Sequence, residues 1–430
     1  MKNDSVTWMK IPITIFKLPL MKAATLLFPL FFLLTDQNYC AAQPVCNDTS
    51  VGFIPINDLG VNDWNGYQGG LYPSGSNYRP AAHNTDGLNF AAQVVPLDST
   101  GNSNSNGRIV WLSVGMSNTK DETMPFLNIV DTAQSVNQQI TFVNGAQGGQ
   151  TAKIISDSNA LFWSNIDDSL HIKGVTAKQV EVIWFKEADG VPTDSVFPHY
   201  ADTLRKEFKI IMHIIKQKYP NVKLCYHSSR IYGGYASNTL NPEPYAYHSG
   251  WAVKWLIEDQ INGDAALTYD QSPWLAWGPY LWADGIIPRS DGLVWICPDD
   301  FKNDGTHPST IGAMKVAQML FDFFSSDSTA TPWFLPFATG MHDAQMNHAF
   351  ISINPNPTDD EVLINISLPQ FEDAEVLVTD LTGKILYHQL LQNILSYGLT
   401  IDLKDRPAGM YLLQVKVKEE VITKKILVVR

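Results

Sequence analysis

A chain of 430 residues that is 45% hydrophobic and 17% charged holds ample apolar material for a buried core, and its 43 acidic against 30 basic residues exclude a basic nucleic-acid binder. Disorder and collagen-like repeats are excluded as well, and the length predicts two or three domains, or one large domain with an appendage. Most of the net charge of -13 falls between residues 43 and 350, so a neutral substrate or partner suits this surface better than a phosphate backbone or an anionic membrane.

Lys22 precedes an apolar run from Ala23 to Leu34, followed by polar residues and the small pair Ala41-Ala42. A basic start, a short apolar stretch and a small-residue cleavage site predict a signal peptide over residues 1–42, with 1–20 as a long prelude and Met21 as a second start. The run is too short to span a hydrocarbon core of about 30 Å, so a secreted mature protein beginning near Gln43 is expected. Residues 43–104 are rich in Gly, Asn and Pro, as in Leu71–Asn77, and predict a loop-rich extension packed on the main domain. Four cysteines are too few for a disulfide scaffold, and Cys40 leaves with the signal peptide. Cys225 and Cys297 sit in apolar runs and read as buried strand residues. No Cys-x-x-Cys spacing occurs, so no zinc site is expected, and no cofactor is called for.

Between 105 and 325, β-branched runs alternate with helical patterns, which predicts βαβ units on a parallel sheet. The strands fall at Arg108–Val114, Gln139–Val143, Val180–Phe185 and Val222–Tyr226. A helix is predicted over His199–Lys218, where Leu204, Phe208, Ile211, Ile214 and Ile215 recur at three and four residues and Pro220 follows; a second is predicted over Ser309–Phe324. Tyr245 to Asp264 reads as a helical insertion bordering the active face. Trp274, Trp277 and Trp282 crowd beside Tyr280, where they serve either as core or as faces for sugar rings.

Ligand sites in open parallel sheets lie beyond the carboxyl ends of the strands. The segments found there are Gly115-Met116-Ser117-Asn118, then Asn144 to Thr151 with Gly148-Gly149, then Lys186-Glu187-Ala188-Asp189; Asp304-Gly305-Thr306-His307-Pro308 precedes the last helix. A serine hydroxyl becomes a useful nucleophile only when a base accepts its proton, and the base works best with a carboxylate fixing its tautomer. Ser117, His307 and Asp304 can fill these roles, and the amides of Gly148 and Gly149 can supply an oxyanion hole. Each residue also has a plain structural role open to it. Ser117 could cap a helix, Asp304 could make an Asx turn, Ser309 could be the helix cap, Gly148-Gly149 a tight turn, and Lys186 with Glu187 a solvated loop pair. His227, at the end of a strand, lines the site or is structural.

Gly115-Met116-Ser117-Asn118, Gly148-Gly149-Gln150-Thr151 and Asp304-Gly305-Thr306-His307-Pro308 together resemble the conserved blocks of the SGNH (GDSL-type) hydrolases, in the form found in sialate O-acetylesterase-like carbohydrate esterases. The resemblance covers roughly residues 105–325. It implies a flavodoxin-like α/β/α sandwich and ester hydrolysis with Ser117 as nucleophile, His307 as base and Asp304 as its orienter. One block departs: where the family has an Asn that donates to the oxyanion, this chain has Lys186-Glu187-Ala188-Asp189. Either Lys186 substitutes as a cation or the hole lacks its third donor.

From Ile351 onward the composition changes, after a linker expected over 326–350. Alternating runs at Glu375–Val378, Lys384–Tyr387 and Met410–Val415, separated by turns at Asp380–Gly383 and Pro407–Gly409, predict a small all-β sandwich over 351–430. Asn354-Pro355-Asn356-Pro357, Asp380 to Lys384, Ala408 to Tyr411 and Lys424 to Val429 resemble the type A sorting domain of the Bacteroidetes type IX secretion system. That implies export across both membranes to the surface or medium, with the secretion machinery as a partner. Two functions from different classes follow. One is a secreted serine esterase acting on acylated carbohydrate, acetyl foremost, or on another small ester. The other is a catalytically impaired glycan-binding protein on the same scaffold.

Overall fold

The computed structural model describes residues 46–336, 350–354, 356–358, 360–418 and 420–429, so the expected signal peptide and most of the expected linker lie outside the described residues. Five strands form the central sheet: β1 Ile109–Gly115, β2 Ile140–Asn144, β3 Val180–Lys186, β4 Leu224–His227 and β5 Trp274–Trp277. They pair in parallel in the order β2-β1-β3-β4-β5. All residues of β1, β3, β4 and β5 are buried, which is why these segments read as continuous apolar runs without alternation. The order reverses between β1 and β3, and a ligand crevice is expected at the carboxyl ends of those two strands.

The principal helices are α1 Ala81–Ala91, α2 Ser117–Thr132, α3 Leu161–Ile172, α4 His199–Lys218, α5 Tyr245–Ile261 and α6 Thr310–Ser326. Helix α4 buries the stripe read from its spacing: Leu204, Phe208, Ile211, Ile214 and Ile215. Ser309 is the N-cap of α6, its hydroxyl accepting from the amides of Ile311 and Gly312, and this leaves His307 free of any capping duty.

Several expectations need correction. The Tyr245 segment is the crossover helix joining parallel strands β4 and β5, with Tyr245 through Lys254 all buried, and so is no insertion. Trp274 and Trp277 belong to β5, and with Tyr280 and Trp282 they are at most 4% exposed, so this cluster is core and presents no face to sugar. The indole N–H groups of Trp274, Trp277 and Trp282 donate to His83 O, Leu71 O and Glu243 Oε1, which meets the polar cost of burying them. The N-terminal extension is more regular than its composition predicts. Helix α1 packs so closely on β5 that a Cβ at Gly87 would lie 2.3 Å from the Trp274 ring.

Cys297 is also no strand residue: it is half-buried in a loop and disulfide-bonded to Cys46, 251 positions away. Cys225 lies buried in β4 as read. The segment after Cys46 is fixed further by the Asp284 carboxylate, which accepts from Ser50 Oγ and from the amides of Val51 and Gly52. The main core continues past residue 325, because the helical turn Thr331–Phe334 buries Trp333 and Phe334 and its carbonyls accept from Asn137.

The C-terminal region has its own core, with Val362, Ile364, Val376, Val378, Leu413 and Val415 among its buried members. Its strands are β6 Phe350–Asn354, β7 Glu361–Asp380, β8 Ile385–Asp402, β9 Gly409–Val417 and β10 Glu420–Val428, all antiparallel. The first half of β7 pairs with β6 and its second half with β9, so one long strand serves both layers of a sandwich. The predicted turn after Asp380 is closed by its carboxylate, which accepts from the amides of Thr382 and Lys384. Among the described residues no helix is long and apolar enough to cross a membrane.

Candidate active site

Strand β1 ends at Gly115, where a Cβ would lie 2.1 Å from the Lys186 carbonyl on β3, so only glycine permits this approach. Ser117 follows as the first residue of α2, and no side chain caps that helix start. The first amides of a helix have no intrahelical acceptor and carry the positive end of its dipole, so they are available to an anion beside Ser117. Two bonds fix the helix start. Thr119 Oγ1 donates to Lys186 O at 2.6 Å, and buried Asn118 Nδ2 donates to Thr306 O at 3.0 Å.

The second bond joins α2 to the loop carrying Asp304 and His307. Gly305 has φ +64, and a Cβ there would meet Tyr235 O at 1.7 Å. The Asp304 carboxylate closes the loop: one oxygen accepts from the amides of Thr306 and His307, both at 3.0 Å, and the other lies 2.5 Å from His307 Nδ1. Partial burial pushes the Asp304 carboxyl up, but these hydrogen bonds outweigh it and hold the group below its ordinary value. His307 Nε2 lies 2.7 Å from Ser117 Oγ. Ser117, His307 and Asp304 are thus brought into one line from two segments, the start of α2 and the loop that carries both Asp304 and His307.

Gly148 borders the same point, since a Cβ there would lie 3.9 Å from Ser117 Cβ. The Gln147 amide donates to Gly115 O at 2.9 Å, which holds this turn against the end of β1, and Gly149 takes φ +74. Among the described residues neither the Gly148 nor the Gly149 amide donates to a backbone acceptor.

Lys186 is placed differently. It is 1% exposed, and its ammonium lies 2.5 Å from both carboxylate oxygens of Glu122, a fully buried residue of α2. Burial draws the lysine down to about 8 despite the carboxylate, and raises Glu122 despite the lysine. Glu187 is buried too, one oxygen accepting from the Ala188 amide, so Lys186 and Glu187 are no solvated loop pair. His227 is fully buried, its Nδ1 3.3 Å from Cys225 O and its basicity lowered by burial to about 4, which fits a structural histidine. Sequence reasoning passed over Arg230, three positions beyond β4. It is 5% exposed, its Nε has no partner, and Glu122 and Glu187 influence it electrostatically. The available signal was an arginine just past a strand end.

A cavity of about 320 Å³ lies between Thr151 and Lys153 on one side and the loop after β3 and the start of α4 on the other, and none of Ser117, Asp304 and His307 lines it. A larger depression, about 420 Å³, is lined by Arg108, Ile140 and Val175 at the amino ends of the strands, the opposite end of the sheet from Ser117.

Residues 352–429 match the family model of the secretion system C-terminal sorting domain. The tail is a type IX sorting domain. It engages the type IX secretion machinery and sends the protein to the cell surface or extracellular space. An exported disulfide such as Cys46–Cys297 agrees with that destination. No curated protein matches the chain. Among solved structures, dimeric latent PorU from Porphyromonas gingivalis is similar at 19% identity and TM-score 0.17 over 19% of this chain, which spans 9% of PorU. A "putative acylhydrolase" from Bacteroides fragilis is similar at 12% identity and TM-score 0.30, covering 57% of this chain and 96% of that one.

Proposed function

We propose that the protein is an exported serine esterase of SGNH type, whose flavodoxin-like α/β/α domain removes an acyl group, acetyl foremost, from carbohydrate. The reading rests on one observation, the continuous line from Ser117 Oγ to His307 Nε2 at 2.7 Å and from His307 Nδ1 to Asp304 at 2.5 Å.

His307 takes the hydroxyl proton as Ser117 Oγ attacks the ester carbonyl, and ionised Asp304 steadies the imidazolium. The developing oxyanion is met by the amides of Ser117 and the Gly148-Gly149 turn, reinforced by the positive end of α2. Collapse expels the alkoxide, which takes the proton from His307 and leaves acyl-Ser117. Water, deprotonated by His307, then releases the acid by the same path in reverse. Lys186 and Glu122 enter as a neutralised pair, so this hole works without the family's asparagine donor. Loss of one such donor typically costs about 100- to 1,000-fold in rate, and a modest turnover is expected.

The commitment of Lys186 to Glu122 favours a second reading, a glycan binder that has lost catalysis. A fluorophosphonate probe separates the two. Labelling at Ser117 that disappears in Ser117→Ala supports the esterase, and no labelling of the native protein supports the binder.

A further inference from the structure

Arg230 stands at the same end of the sheet as the candidate triad. The Ser228 amide donates to Phe185 O at 3.0 Å, so the ladder between β3 and β4 runs one residue past His227, and Arg230 follows just beyond it. On the other side of β3, Lys186 is paired in register with Gly115, two residues before Ser117. The segment that Arg230 opens then reaches the triad loop. Tyr235 O is the atom that a Cβ at Gly305 would strike, and Ser237 donates to Asp304 O from its amide at 2.9 Å and from its hydroxyl at 3.2 Å. Residues 230–237 therefore run from the end of the sheet to the loop of Asp304 and His307.

The Arg230 guanidinium has no counterion. Its Nε is buried without a partner, and among the described residues the side chain makes no hydrogen bond or ion pair. The acidic groups that sense its charge are engaged elsewhere. Glu122 spends both oxygens on Lys186, Glu243 accepts from the amides of Gly233 and Tyr247 and from the Trp282 indole, and the Tyr200 hydroxyl accepts from the Asp189 amide and Asn241 Nδ2. Glu187 accepts from the Ala188 amide, and burial raises its carboxyl well above the ordinary value, which favours the uncharged acid. Lys186 and Glu122 cancel, and Arg230 remains as an unpaired positive charge. Such a charge is among the costliest arrangements in a protein interior, and strongly perturbed ionisable groups concentrate at functional sites.

We propose that the unpaired charge of Arg230 stabilises, across the interior, the oxyanion that forms when Ser117 attacks an ester. The inference rests on the esterase reading. The guanidinium need not touch substrate: at an effective dielectric of about 20, a unit charge about 10 Å from a developing oxyanion changes a rate by about 10- to 20-fold. That is less than the effect of a direct donor, so Arg230 returns part of what the absent asparagine would supply.

The test uses the full mature chain with p-nitrophenyl acetate as substrate and 1,1,1-trifluoro-2-butanone as inhibitor. Ser117 Oγ bonds to the carbonyl carbon of the ketone, His307 takes the serine proton, and the ketone oxygen keeps the electron pair as a stable oxyanion. Arg230→Met and Arg230→Gln remove the charge, one with an apolar and one with a polar side chain. Both are expected to lower kcat about 5- to 20-fold with KM little changed, and to raise the ketone Ki by the same factor. The midpoint of urea unfolding should stay or rise, because the lost charge strands no partner. Native kcat and Ki in both variants would overturn the proposal. So would a loss of kcat that comes with a lower unfolding midpoint, which marks a structural arginine. In either case a rate abolished by Ser117→Ala leaves the esterase reading standing. A native protein with no Ser117-dependent hydrolysis and no ketone binding would defeat the esterase reading and this inference together.

Discussion

The Lys186 ammonium lies 2.5 Å from both oxygens of Glu122, joining the end of β3 to the helix that begins with Ser117. A buried pair of this kind contributes little net stability, but removing one partner strands the other charge in the interior. Lys186→Met should therefore cost about 3–5 kcal/mol in chemical denaturation, and the double variant Lys186→Met/Glu122→Leu should recover most of it. A double variant as unstable as the single would show that the lysine acts through something other than its pairing.

Gly305 holds φ +64 with Tyr235 O at 1.7 Å from where a Cβ would stand. Gly305→Ala should cost about 1–3 kcal/mol and lower kcat more than it raises KM, because the turn that aligns Asp304 with His307 must deform. Thermal unfolding and steady-state kinetics on one preparation check both effects.

The Cys46–Cys297 bond closes most of the main domain into one loop and ends seven residues before Asp304. Cys46→Ser or Cys297→Ser should lower stability by about 2–4 kcal/mol. Cys225→Ser tests a different matter, since Cys225 is buried and unbridged and its loss leaves the loop closed. Reductant should shift the melting temperature of the native protein and leave that of Cys46→Ser unchanged.

Glu181 on β3 is 1% exposed, one oxygen accepting from the Val95 amide and the other without a partner, and burial raises it to about 8. The unfolded chain ionises this group near its ordinary value of 4.5, while the folded chain keeps the proton. Its contribution is therefore fully present at low pH, declines as pH rises above 4.5, and stops changing above about 8. Glu181→Gln should flatten the stability profile over that window, by roughly 3–5 kcal/mol between its ends. Denaturant titrations at pH 5 and pH 8 measure the difference.

The first four strands and α4 were legible because buried parallel strands are apolar throughout and amphipathic helices repeat at three and four residues. Strand β5 was not, because Trp274-Leu275-Ala276-Trp277 lacks β-branched residues and its indoles mimic a binding cluster. Helix α1 was hidden by Gly87 and its asparagines, which weaken helix propensity until Trp274 packs against it. The candidate triad was legible because Asp304 and His307 share one turn and Ser117 ends a recognisable strand. The Cys46 bridge and the Lys186–Glu122 pair join residues far apart in sequence, and no local pattern announces either. Arg230 was missed for the same reason, its burial being a property of the packed loops around it.

The most direct measurement is hydrolysis of p-nitrophenyl acetate by the mature chain beside Ser117→Ala and His307→Ala. The account predicts a clear native rate that falls at least about 10³-fold in either variant, with both variants folded. A native rate no greater than that of the two variants would contradict it.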